Sequence, residues 1–233
     1  MTILVQGNNL FASLVAFLSS VIEFFYSLTV NVGIPSYGLA IIIFTVIIKL
    51  ILFPLTSIQV KSTKRMQEAQ PKIKEVQEKY KNNKQKQQEK MMELYQKEKI
   101  NPFGGCLPLI IQMPILIALF TSLRSFFDPA ENPSLVVEHA SFLWIPNLGS
   151  PDPWILPLLV AGFMFLQSKV SMGNSNDQTQ KAMLYMMPIM MAWFSRSFPA
   201  GLALYWVMYN IMSTMEHFVI RRDGSGIKKE EIA

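Results

Sequence analysis

The chain has 233 residues, of which 51% are hydrophobic and only 16% charged, against about 25% charged in a typical soluble domain. Its single cysteine, Cys106, excludes an internal disulfide and a cysteine metal cluster, and His139 and His217 stand far apart, so no metal site and no cofactor is implied. The net charge is +5, but its distribution says more: residues 1–60 hold one acid, Glu23, and one base, Lys49, whereas residues 61–99 hold twelve of the 21 Lys and Arg against six Glu. Long apolar blocks alternating with one basic block describe an all-α, polytopic membrane protein.

Residues 1–38 are predicted to form an N-terminal interfacial helix and a linker. In "LFASLVAFLSSVIEFFYSLTV", residues 10–30, small and polar side chains (Ala12, Ser13, Ala16, Ser19, Ser20, Glu23, Ser27) share one helical face. Phe11, Leu14, Leu18, Val21, Phe25 and Leu28 share another, which suits a helix lying in the membrane surface. Length alone equally allows a span or an uncleaved signal. Residues 39–60 are predicted as the first span, about 33 Å long at 1.5 Å per residue, close to the hydrocarbon thickness. Residues 61–100 follow as a helical hairpin outside the membrane. Met66, Ala69, Ile73, Val76 and Tyr80 recur at steps of three and four as a narrow seam, "KNNK" at 81–84 marks the turn, and the return helix carries Met91, Leu94 and Tyr95. Pro71 is expected to interrupt or kink the first arm, and a solvated charged linker is the plainer reading of the same segment.

Residues 101–219 are predicted to hold the second to fifth spans: 101–123, 154–171, 182–198 and 200–219, the last two joined by a tight "SFPAG" turn. The connection 128–153 carries Asp128, Glu131, Glu138 and Asp152 and no Lys or Arg, with Trp144 placed at headgroup depth. Residues 220–233 form a short basic tail. In this alternation the hairpin, Lys169, Lys181 and the tail fall on one side and the acidic connection on the other. Retention of positive charge in the cytoplasm then puts the N-terminus outside and the C-terminus inside the plasma membrane, with Arg196 as the one clear exception.

Lys49 sits near the middle of "LAIIIFTVIIKLILFPLTSIQ", residues 39–59, where a lysine costs about 2.5–3.5 kcal/mol on insertion scales. Thr45 precedes it by one turn and Thr56 follows by two on the same stripe. Gln112, Gln167 and the stripe Trp206, Asn210, Ser213 and Thr214 are further polar positions within spans. Each alone reads equally well as an interhelical hydrogen bond. Together with a lone central cation they describe a hydrated concavity. Neither a nucleophile motif nor a zinc-protease motif is present, so this concavity binds rather than cleaves, and the protein is not expected to be an enzyme.

"NPFGGCLPLIIQMPILIALF" and "FPAGLALYWVMYNIMS" resemble the signature segments of the YidC family of membrane protein insertases, and "MQEAQPKIKEVQEKY" resembles that family's cytoplasmic hairpin. The likeness runs from about residue 20 to residue 220 and is similar to the short Gram-positive type, without a large periplasmic domain. It implies a five-span core enclosing a positively charged groove, open to cytoplasm and lipid and closed on the outer side. Lys49 stands where the family has a groove arginine, keeping the charge but losing the planar fork. Thr45, Gln167 and Trp206 match groove-lining positions. A lipobox cysteine is absent from the N-terminal segment.

The function expected is that of an insertase and chaperone whose groove accepts polar tails of nascent membrane proteins with one or two spans, then releases their apolar segments into lipid along the third and fifth spans. Methionines, among them Met187, Met191, Met208 and Met212, offer an adaptable sliding surface. The ribosome and the Sec translocon remain open as partners, and nothing points to DNA. The alternative is a small transporter or anion pathway using Lys49 as its binding charge, which internal inverted repeats would favour; the sequence shows none.

Overall fold

The computed structural model describes residues 9–98, 100, 107–127, 139–172 and 178–230, with side chains described over a slightly smaller set. Among these residues seven helices carry the fold: α1 (Asn9–Asn31), α2 (Tyr37–Lys79), α3 (Lys84–Lys97), α4 (Leu107–Phe126), α5 (Ile155–Met172), α6 (Gln178–Ser195) and α7 (Ala200–Glu230). The protein is an all-α membrane protein. By length and composition α1, α2 and α5 are each able to cross a membrane.

The turn from α1 to α2 follows from local chemistry. Gly33 adopts φ +83°, a conformation that costs glycine nothing. With the chain so turned, the Gly33 amide donates to Val30 and the Ile34 amide to Thr29, which satisfies the last carbonyls of α1. Pro35 then prevents the helix from continuing. Ser36 caps α2, its Oγ accepting from the Leu39 amide at 3.3 Å. Thr29 Oγ1 accepts from the Ser36 amide at 3.2 Å, tying the two helices together.

α2 is one unbroken helix of 43 residues that includes Pro54 and Pro71. The first span and the first arm of the hairpin are therefore continuous, and Pro71 does not end the helix. The turn lies at residues 80–82, and Asn83 caps α3 through a 3.0 Å bond from the Lys86 amide. Ala69 and Ile73 are buried with Ile100 against Met66, Met91, Leu94 and Tyr95. Val76 and Tyr80 are only half-buried, so the seam is shorter than its sequence periodicity suggests. A Lys72–Glu98 ion pair at 2.6 Å and a Gln87 bond to the Gln77 carbonyl at 2.7 Å hold the arms together at the surface. α7 runs on past residue 219 to Glu230.

The main core fills the end of the bundle opposite the hairpin. Tyr37, Phe44, Ile41, Leu119, Leu123, Leu148, Leu156 and Leu202 are all fully buried there. Tyr37 stacks on Tyr26 at 3.8 Å and meets the edges of Phe126 and Phe127. The segment 139–153 folds over this end. A short bridge pairs Phe142 with Ile145, and Phe142 covers Gly38 so closely that a Cβ there would overlap its ring. The Ser150 and Leu148 carbonyls accept from the Ala200 and Gly201 amides at 2.9 and 2.8 Å, which satisfies the open N-terminus of α7. Asp152 accepts from the Trp154 and Leu156 amides through one oxygen and from Trp144 Nε1 at 3.0 Å through the other, so it fixes both the start of α5 and the Trp144 ring. Of the four acids expected in this connection, Asp128, Glu131 and Glu138 lie outside the described residues. Arg196, the exception to the charge asymmetry, lies over the Trp154 ring at 4.6 Å and near Trp193 at 6.0 Å, an aromatic setting favourable for a cation.

Candidate functional site: a polar cavity and an apolar crevice

Toward the hairpin end the described residues leave the bundle open. A cavity of about 380 Å³ lies among α2, α4, α5, α6 and α7. Its deep end is formed by Gln112, Leu116 and Tyr205, and its other end by Gln59, Thr63, Ser171 and Met172. Gln112 Nε2 donates to the Tyr205 hydroxyl at 2.7 Å, bridging α4 and α7 at the floor. At the mouth the Ser171 carbonyl, in the last turn of α5, accepts from Gln67 at 2.6 Å and from Arg221 at 3.3 Å.

Lys49 lines this cavity with its side chain only 4% exposed. It is not the lone cation expected from the sequence. Its Nζ lies 2.6 Å from Glu216 Oε2, donates to Ser213 Oγ at 2.9 Å, and stands 4.4 Å from the centre of the Tyr209 ring. All three partners come from α7, at 209, 213 and 216, the spacing of one helical face. Gln167, Trp206 and Asn210 line the cavity beside it, as does Thr56. Asn210 turns its amide back to the Trp206 carbonyl at 2.7 Å.

Thr45 does not line the cavity. It is fully buried, and its hydroxyl donates to the Ile41 carbonyl at 2.7 Å. It shares a helical stripe with Lys49 but stands one turn nearer the closed end, where core packing has already filled the bundle.

A second cavity, an apolar crevice of about 410 Å³, lies among α4, α6 and α7, lined by Met113, Ile117, Phe120, Met191, Phe194 and Leu202 with others. Leu116 and Trp206 line both cavities and so form the partition between them. The four methionines expected to form one sliding surface separate. Met191 faces the crevice and Met187 the polar cavity, while Met208 and Met212 line neither. The crevice also belongs to the second, fourth and fifth predicted spans rather than the third and fifth.

Glu216 and Tyr209 are the partners of Lys49 that sequence reasoning missed. Both neighbour Ser213 on a helical face, which is the signal that could have found them. An acid three residues from the end of a predicted span reads instead as an interfacial charge.

The sequence model of the family described as 60Kd inner membrane protein matches residues 27–228. A membrane protein insertase YidC of Fusobacterium nucleatum is 42% identical over 198 residues, covering 84% of this chain and 92% of that protein. One of Geobacter sulfurreducens is 38% identical over 227 residues, and one of Actinobacillus pleuropneumoniae serotype 3 is 42% identical over 192. The chain spans only 40% and 34% of the length of these two relatives. With a match over most of its length and relatives at this identity, the chain belongs to the 60Kd inner membrane protein family, that of the YidC membrane protein insertases.

Proposed function

We propose that the chain inserts membrane proteins by lending the polar tail of a client a hydrated half-way site and its apolar segment a lateral path into lipid. The observation that carries this reading is the adjacency of the two cavities. The polar one holds amides, hydroxyls and a cation inside the bundle, and the apolar one begins across the Leu116–Trp206 partition. An unpaired polar group costs several kcal/mol in hydrocarbon, roughly as much as a hydrogen-bonding cavity can offset. A client with its tail in the first cavity and its apolar segment along Met113, Phe120, Met191 and Phe194 would meet matching surroundings along its length.

The decisive experiment uses the purified full chain alone in liposomes with a small single-span client, scored by protease protection of the tail. Insertion well above that of protein-free liposomes is expected. No insertion, together with selective anion flux through the same liposomes, would favour the transporter reading instead.

In this reading α2, α4, α5, α6 and α7 are the five spans and α1 lies in the outer interface. Three faces of α1 support that placement. Leu18, Ile22 and Phe25 are buried on the bundle; Phe17, Phe24 and Leu28 are exposed and apolar; Ser20, Glu23 and Ser27 are exposed and polar. A helix with protein on one side, lipid on another and headgroups on the third would need that pattern. The charge bias then places α3 in the cytoplasm and Ser141 outside. With Cys106 replaced by serine, single cysteines at the exposed positions Ser141 and Gln85 test the orientation. An impermeant thiol reagent on intact cells should label position 141 only, and labelling of 85 alone would reverse it.

A further inference from the structure

We propose that Glu216 is the resident counter-ion of the cavity and a specificity-determining residue: a client carboxylate reaches Lys49 only by displacing it. The proposal rests on the insertase reading above for the identity of the anion, and on the geometry of α2 against α7 for the rest.

The first observation is that the cation has no donor to spare. A lysine ammonium offers three N–H groups, and those of Lys49 meet Glu216, Ser213 and the Tyr209 ring. A new anion must therefore exchange with one of the three, and Glu216 alone competes by charge. The second is position. Lys49, Ser213 and Tyr209 line the cavity, whereas Glu216 does not; it holds the cation from behind. An anion in the cavity thus meets the ammonium on the side held by Ser213 and Tyr209, and its charge competes with that of Glu216 for the cation. The third is that Glu216 is incompletely held. Among the described residues its Oε1 finds no hydrogen-bond partner, and its Oε2 is held by Lys49 alone, at 2.6 Å. A carboxylate fixed by one contact is poised to be exchanged for another. The resting pair is electrically neutral, so acidic tails gain little there over neutral ones until Glu216 is removed.

The test measures binding of two fluorescent tail peptides, one with two Asp and one with none, to the purified full chain in detergent. Wild type should bind both within about threefold. Glu216→Gln should shift that ratio toward the acidic peptide by about tenfold, since a competing charge close by is lost at an effective dielectric below that of water. Lys49→Gln/Glu216→Gln should bring the ratio to about one, because no charge then remains in the pair. Glu216→Asp keeps the charge but shortens its reach, and should raise the ratio part of the way. If Glu216→Gln does not fold, that variant decides the matter. An unchanged ratio in Glu216→Gln, or in Glu216→Asp where only the latter folds, overturns the proposal, as does failure of the acidic peptide to bind at all. Insertion of a neutral-tailed client by the wild type, measured in liposomes, is a separate readout. Its failure would sink the insertase reading while leaving the peptide ratio to stand or fall alone.

Discussion

Lys49→Ala should destabilise the bundle by about 3–5 kcal/mol, the usual cost of stranding one member of a buried ion pair. The stranded member is Glu216, whose side chain is 5% exposed and whose only ionic partner among the described residues is Lys49. For a chain of this size the loss corresponds to about 6–20 °C in melting temperature, readable from heated detergent-solubilised protein. Lys49→Met/Glu216→Leu should recover most of the loss, because a buried pair replaced by apolar groups of similar volume is often neutral or better. If Lys49→Ala melts like wild type, the pair does not form in the membrane. The same comparison governs how insertion defects are read. A loss of insertion in Lys49→Ala mixes recognition with instability, whereas a loss in the stable double variant reports on the charged pair without the instability. Lys49→Arg keeps the charge and should hold Glu216.

Much of this molecule is legible from its residues, and the boundary of legibility has a physical origin. Lys49 announces itself because a charge in a long apolar run has few inexpensive explanations. Ala69 and Ile73 announce the hairpin core because a seam at steps of three and four survives in any register. What periodicity carries is a face, not a depth. Thr45 lies on the same stripe as Lys49 yet is buried in the closed end, one turn too far from the cavity. Nor does it carry a partner: the pairing of Lys49 with Glu216 joins positions 167 residues apart and depends on how α2 and α7 register against each other. The methionines scatter for the same reason. Met187 and Met191 are four apart on α6 yet face different cavities, because the partition of Leu116 and Trp206, supplied by α4 and α7, runs between them.

The closed end of the cavity depends on a contact equally invisible in the sequence. Gly38 sits in the first turn of α2, and a Cβ there would overlap the Cγ and Cδ2 of Phe142. Both groups are held in place. Tyr37, beside Gly38, is fixed among Tyr26, Phe126 and Phe127. Phe142 is tied by backbone hydrogen bonds of 2.9 and 2.8 Å exchanged with Ile145, and the adjacent Leu143 takes a positive φ of 53°, a conformation leucine keeps only where the surrounding structure holds it. Gly38→Ala should therefore cost about 1–3 kcal/mol, as overpacking of a filled site does, and Gly38→Val should cost more. Phe142→Ala in the Gly38→Ala background should restore part of the loss, because the two residues meet directly and their effects should not add. Melting temperatures of the two single variants and the double variant measure that coupling, and simple additivity would mean that Phe142 is not seated on α2. A membrane consequence follows if this end is the seal on the outer side. Liposomes carrying Gly38→Val should leak small ions that wild-type liposomes retain, with Phe142→Ala reducing the leak by letting the α2 helix settle. A tight Gly38→Val bilayer would move the seal away from Phe142 to the buried layer of Ile41, Leu123 and Leu148 beneath it.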